Sequence, residues 1–90
     1  MIHLTSHSIE RGKERFDWTP SQLGQHASHA LEVGHLITDD PFLKELFDRT
    51  MQYYESSIYY YNSGVVFVFE DDRLITVFPL TGRFKKGDVR

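Results

Sequence analysis

Cysteine is absent from this 90-residue chain. That excludes a disulfide framework, a thiolate metal site and a cysteine nucleophile. Proline is scarce at three residues, and no proline- or glycine-rich linker, repeat or low-complexity stretch interrupts the chain, so one domain over residues 1–90 is expected. No apolar run approaches the roughly 20 residues of a membrane span, and no membrane partner is expected. The opening Met1-Ile2-His3-Leu4-Thr5 lacks a basic region followed by an apolar one. No secretory leader is read there, and a cytoplasmic location is the expectation. Bases are outnumbered, 10 against 13 acids, for a net charge of −3. A uniformly basic nucleic-acid coat is excluded, while a local basic patch is not. No glycine-rich phosphate loop occurs, and Ser6, Ser8 and Ser21 have no nucleophile-elbow context, which removes P-loop hydrolysis and serine-hydrolase chemistry.

What is present is apolar enough for a small core, at 40% hydrophobic and 14% aromatic residues. The charge is unevenly spread. Residues 1–16 carry Arg11, Lys13 and Arg15 against Glu10 and Glu14, while ten acids face only Lys44 and Arg49 over residues 17–72. Residues 73–90 carry Arg73, Arg83, Lys85, Lys86 and Arg90 against Asp88. Basic charge therefore sits at the two ends. It forms one site if the fold joins them, and is otherwise simply solvated.

Thr5 or Ser6 can cap a helix over about His7–Phe16, which Gly12 weakens. Thr19-Pro20-Ser21-Gln22 is a second helix start, with Thr19 as N-cap, Pro20 as first helical residue and Gln22 closing a capping box. Leu23, Ala27, Ala30 and Leu31 share one face of that helix, and Gly34 stops it. Asp39-Asp40-Pro41 opens a third helix, with Leu43, Leu46, Phe47, Met51 and Tyr54 as its apolar stripe. The pattern then turns to strands: Ile58–Tyr61, Val65–Phe69 and Arg73–Phe78, separated by Asn62-Ser63-Gly64 and Glu70-Asp71-Asp72. Val65–Phe69 is apolar at every position and reads as the central strand. Helices followed by a contiguous meander predict an α+β fold, with the N-terminal helices packed on one face of a three- to four-stranded antiparallel sheet.

On the first helix His7, Arg11 and Arg15 form one slowly drifting stripe, while Ile9, Gly12 and Phe16 fall opposite. Ile9 and Phe16 would anchor the helix. The stripe would project away from that anchor, or toward a groove at its edge. Arginine forks fit phosphate oxygens, and histidine moves protons near neutrality. RNA cleavage uses both, a base for the 2′-hydroxyl, cations for the phosphorane and an acid for the leaving 5′-oxygen. The competing reading is a solvated helix on which Glu10 and Glu14 pair with the arginines.

Weaker candidates lie elsewhere. His26 and His29 are one turn apart, but no zinc-type ligand spacing accompanies them, so no metal and no cofactor are expected. Tyr59, Tyr60 and Tyr61 could stack bases, though alternation sends Tyr60 to the face opposite Tyr59 and Tyr61, which favours core or dimer interface. The tail Thr81-Gly82-Arg83-Phe84-Lys85-Lys86-Gly87 could clamp an RNA backbone through Arg83, Lys85 and Lys86, or be a flexible end. An exposed edge strand such as Ile58–Tyr61 could pair with a second copy or a partner.

The string Ser6-His7-Ser8-Ile9-Glu10-Arg11-Gly12-Lys13-Glu14-Arg15 resembles the opening H-x-x-x-R-x-x-x-R helix of a family of small bacterial and phage domains grouped by fold with RelE-like (barnase–EndoU–colicin–RelE) nucleases and toxins. Arg73-Leu74-Ile75-Thr76-Val77-Phe78 is similar to that family's closing strand. The resemblance covers about a third of the chain. It implies a site between the first helix and the last strands, to which His7, Arg11 and Arg15 belong by the helix motif and Thr76 by the strand motif. Two features depart from the family: the helix from Pro41 looks inserted, and the chain is acidic. The resulting expectation is a metal-independent RelE-like endoribonuclease or toxin acting on RNA, ribosomal or transfer RNA included, with an antitoxin as protein partner. A non-catalytic module, such as a phage-encoded inhibitor of a host or defence protein, is the alternative. Its acidic middle would meet a basic partner.

Overall fold

The computed structural model describes residues 2–50 and 57–79, with side chains described to residue 45 in the third helix. The element order is β1 (His3–Leu4), α1 (Ser6–Phe16), α2 (Pro20–Val33), β2 (His35–Leu36), a 3-10 turn (Ile37–Asp39), α3 (Pro41–Thr50), β3 (Ile58–Asn62), β4 (Val65–Glu70) and β5 (Arg73–Pro79). The fold is α+β, and its sheet runs β1-β5-β4-β3-β2.

The helix boundaries follow their caps. Thr5 accepts from the Ser8 amide at the start of α1. Asp17 ends it in the left-handed region at φ 57°, with the Asp17 and Trp18 amides donating to the Lys13 and Gly12 carbonyls. Thr19 and Gln22 form the full capping box of α2, with Pro20 in the first turn. Gly34 stops α2 without a left-handed turn, since its φ is −74°. Its role is close approach: a Cβ there would lie 2.4 Å from the Ala30 carbonyl oxygen and 3.1 Å from that of Tyr61. In the β3–β4 turn Ser63 and Gly64 both have positive φ, as two-residue hairpins of the favoured hand require, and Gly64 takes the larger φ of 82° without a side chain to strain.

The meander β3-β4-β5 is antiparallel, but the whole sheet is five-stranded and mixed. β1 pairs in parallel with β5, and β2 pairs antiparallel with β3 at Tyr60 and Tyr61. The expectation of three to four antiparallel strands missed these two because a two-residue strand carries no readable alternation. Ile58–Tyr61 is accordingly an inner strand, with its last two residues covered by β2 rather than open to a second copy.

Helices also cover both faces of the sheet, not one. Phe67, Phe69, Leu74 and Val77 pack with Leu23, Ala27 and Ala30 of α2 and with Ile9 and Phe16 of α1. Val66, Val68, Phe78 and Tyr59 pack on the other face with Ile37 of the 3-10 turn and Leu43 of α3. The 3-10 turn and the start of α3 thus cover the second face. Of the stripe expected for α3, Leu43 is seated there; Leu46, Phe47, Met51 and Tyr54 fall outside the described side chains. β4 is the central strand, and Val66 to Phe69 are all buried because each face receives alternate residues.

Candidate functional site at the seam of α1 and β5

β1 covers β5 only at Arg73 and Leu74. Past that point the edge of β5 is met by α1, pinned along it at both ends. At the start, the Thr5 hydroxyl donates to the Leu74 carbonyl at 2.8 Å, and the Thr5 amide donates to the same oxygen at 3.3 Å. Toward the end, Arg15 Nη1 donates to the Val77 carbonyl at 2.9 Å. Gly12 makes the close approach on the inner side, where a Cβ would sit 3.2 Å from Leu23 Cδ1. Ser8 is buried beside it, its hydroxyl bonded to the Thr5 carbonyl at 2.8 Å.

Between the two pins on the same helix stripe come His7 and Arg11; between the pinned carbonyls of β5 comes Thr76. A β-bulge sets the direction of Thr76. Val68 faces Thr76 and Phe69 faces Leu74, so Ile75 is the extra residue. Leu74 and Val77 therefore share the α2 face, and Thr76 turns to the other. Its side chain is fully buried.

Among the described residues, three buried side-chain polar atoms have no hydrogen-bond partner: His7 Nε2, Arg11 Nε and Thr76 Oγ1. His7 and Arg11 belong to the helix stripe read from the sequence, and Thr76 is the residue the resemblance implied on the last strand. The two elements that carry them adjoin. Buried polar groups are ordinarily paired, because an unpaired one costs about 1–3 kcal/mol of desolvation.

The outer side of the stripe is engaged. Arg11 Nη1 meets Glu14 Oε2 at 2.5 Å and Glu10 Oε1 at 3.6 Å. The Arg11 side chain is 26% exposed, against 53% for Glu14. Its guanidinium thus divides, with Nη1 held by acids at the surface and Nε turned into the protein. Arg15 is held by the β5 backbone. It does not project away from the anchor face, because the strand edge offers carbonyls that no neighbouring strand takes. Arg83, Lys85 and Lys86 lie outside the described residues.

The remaining candidates do not gather into a site. Among the described residues no group of three His, Cys, Asp or Glu is placed to hold a metal. His26 stacks on Trp18 at 4.1 Å between ring centroids, and Trp18 stacks on Phe16 at 4.5 Å. That stack joins the end of α1 to α2, and sequence reasoning missed it; the single tryptophan between two helix caps was the available signal. Tyr59 and Tyr61 pack on the α3 face and Tyr60 on the α2 face, as alternation requires. Among the described residues no helix is long and apolar enough to cross a membrane.

No family model, no curated protein and no solved structure gives a significant match to this chain.

Proposed function

We propose that the chain is a RelE-like endoribonuclease or toxin whose site is the α1–β5 seam. One observation carries the reading: among the described residues the buried side-chain polar atoms without a hydrogen-bond partner are those of His7, Arg11 and Thr76, on the adjoining α1 and β5. A proton-transfer group, a fixed cation and a hydroxyl on two adjoining elements match the needs of phosphodiester cleavage by an internal nucleophile. In that reaction a base takes the proton of a ribose 2′-hydroxyl, and the 2′-oxygen attacks phosphorus. The bond to the 5′-oxygen breaks, and an acid protonates that oxygen. The products are a 2′,3′-cyclic phosphate and a 5′-hydroxyl, and no metal is required. His7 serves as base or acid. Arg11 and Arg15 neutralise the phosphorane, and Thr76 positions the phosphate or the attacking hydroxyl. Arg83, Lys85 and Lys86 would hold flanking backbone. RNA is the substrate, in the cytoplasm, free or on the ribosome.

The second reading, a non-catalytic protein-binding module, draws on the ion pairs of Arg11 with Glu14 and Glu10, which a structural helix would also make. One experiment separates them. The chain is induced in cells, and growth and RNA integrity are followed against the His7→Ala, Arg11→Ala, Arg15→Ala variant, with folding checked by circular dichroism. The nuclease reading expects growth arrest and fragments ending in cyclic phosphate for the wild type alone. Intact RNA and normal growth with the wild type would overturn it and leave the binding module.

A further inference from the structure

β1 is one of the two edge strands, and among the described residues no strand pairs with its outer side; its bonding fixes which groups face outward. The His3 amide donates to the Asp72 carbonyl at 2.8 Å, and the Thr5 amide to the Leu74 carbonyl at 3.3 Å. Successive residues of a strand point their backbone groups to opposite sides. Since His3 and Thr5 face β5, the N–H and C=O of Leu4, and the C=O of Ile2, face away from the sheet. Beside that edge runs a groove of about 610 Å³ between β1 and α2. Ile2 and Leu4 line one wall, and Gly24 leaves its floor open. Gln25, His29 and Glu32, at i, i+4 and i+7 on α2, line the other wall. None of these three side chains bonds another described residue.

We infer that this groove binds an extended peptide of a partner protein, added to the sheet as a further strand beside β1 and carrying a basic residue opposite Glu32. Strand addition takes affinity from main-chain hydrogen bonds and specificity from pockets for alternate side chains. The outward Leu4 groups supply the first. The Ile2, Leu4 and Gly24 hollow supplies the second, and it fits one apolar side chain of the incoming strand. The Glu32 carboxylate sets the charge, since it is the one carboxylate along that wall, beside Gln25, Ser28 and His29. The inference stands independently of the ribonuclease reading, because none of these residues belongs to the α1–β5 seam.

A phage-displayed library of random octapeptides panned on the whole chain tests it. The enriched peptide, made with a fluorescent label, is titrated by anisotropy. Enriched sequences should alternate apolar and polar residues and contain Lys or Arg. Gly24→Leu fills the groove while retaining the fold: a Cβ at Gly24 meets only Leu4 Cδ1, at 3.8 Å, and leucine favours helix over glycine. That variant should weaken binding by about tenfold or more with an undiminished melting temperature, and Glu32→Lys should weaken it by about threefold or more. Hydrogen exchange at the Leu4 amide should slow with peptide bound. Failure to enrich any sequence, equal binding by Gly24→Leu, or unchanged Leu4 exchange would overturn the inference. A concentration-dependent dimer abolished by Gly24→Leu would also overturn it, by giving the edge to a second copy.

Discussion

The β4–β3–β2 side of the sheet and the α1–β5 seam are built to opposite standards. On β4, Val66 to Phe69 bury apolar side chains alternately on two faces, with Phe67 and Phe69 under α2 and Val66 and Val68 under the 3-10 turn and α3. Every local preference there agrees with the fold. At the seam, a helix with a mid-length glycine lies along a bulged strand and takes three polar atoms out of water unpaired. Proteins tend to break local rules at functional positions and keep them elsewhere. One side of this molecule supplies stability, and the other spends some of it on arrangement.

The contrast can be broken most severely at Phe67, which is 2% exposed. Phe67→Ala should destabilise the chain by about 3–5 kcal/mol in chemical denaturation, as large-to-small aromatic substitutions in cores do. A loss below about 1 kcal/mol would mean that β4 is not the mainstay of the core. Gly34→Ala comes next, since its Cβ would collide with two carbonyl oxygens, one at the end of α2 and one on β3. A cost of about 1–3 kcal/mol is expected, read as a fall in melting temperature.

Thr76→Val sharpens the comparison by a change of sign. It keeps the shape and removes an unpaired buried hydroxyl, so stability should rise by about 1 kcal/mol while RNA cleavage, on the proposed function, is lost. A clear loss of stability would show that the hydroxyl has a partner. The smallest effect belongs to Glu14→Gln. Its pair with Arg11 is largely solvent-exposed, so stability should move by less than about 0.5 kcal/mol in the same denaturation assay.

Much of this architecture was legible in the sequence wherever a local rule decided it. The Thr19-Pro20-Ser21-Gln22 capping box, the Thr5 cap and the three long strands lie where their chemistry puts them, within a residue or so at the ends. What escaped depends on contacts distant in sequence. The strands His3–Leu4 and His35–Leu36 exist only because neighbours offer an edge. The second helical layer follows from where Ile37 and Leu43 dock, which periodicity does not report. At the site, the stripe of His7, Arg11 and Arg15 was readable from helical spacing. The hold of Arg15 on Val77 was not, because it depends on a strand more than 60 positions later.

That separation has a consequence for the order in which the molecule is made. The bonds pinning α1 join Thr5 to Leu74 and Arg15 to Val77, spans of 69 and 62 positions. Contacts of such length form late and slowly, since a long loop must close before they give any return. α2 and the β3–β4 hairpin rest on local signals and can take shape while the chain is still leaving the ribosome. The seam cannot: until β5 has emerged, Thr5 and Arg15 have no Leu74 or Val77 carbonyl to hold. A nascent chain would therefore carry its first helix for most of its synthesis without the strand edge that pins it.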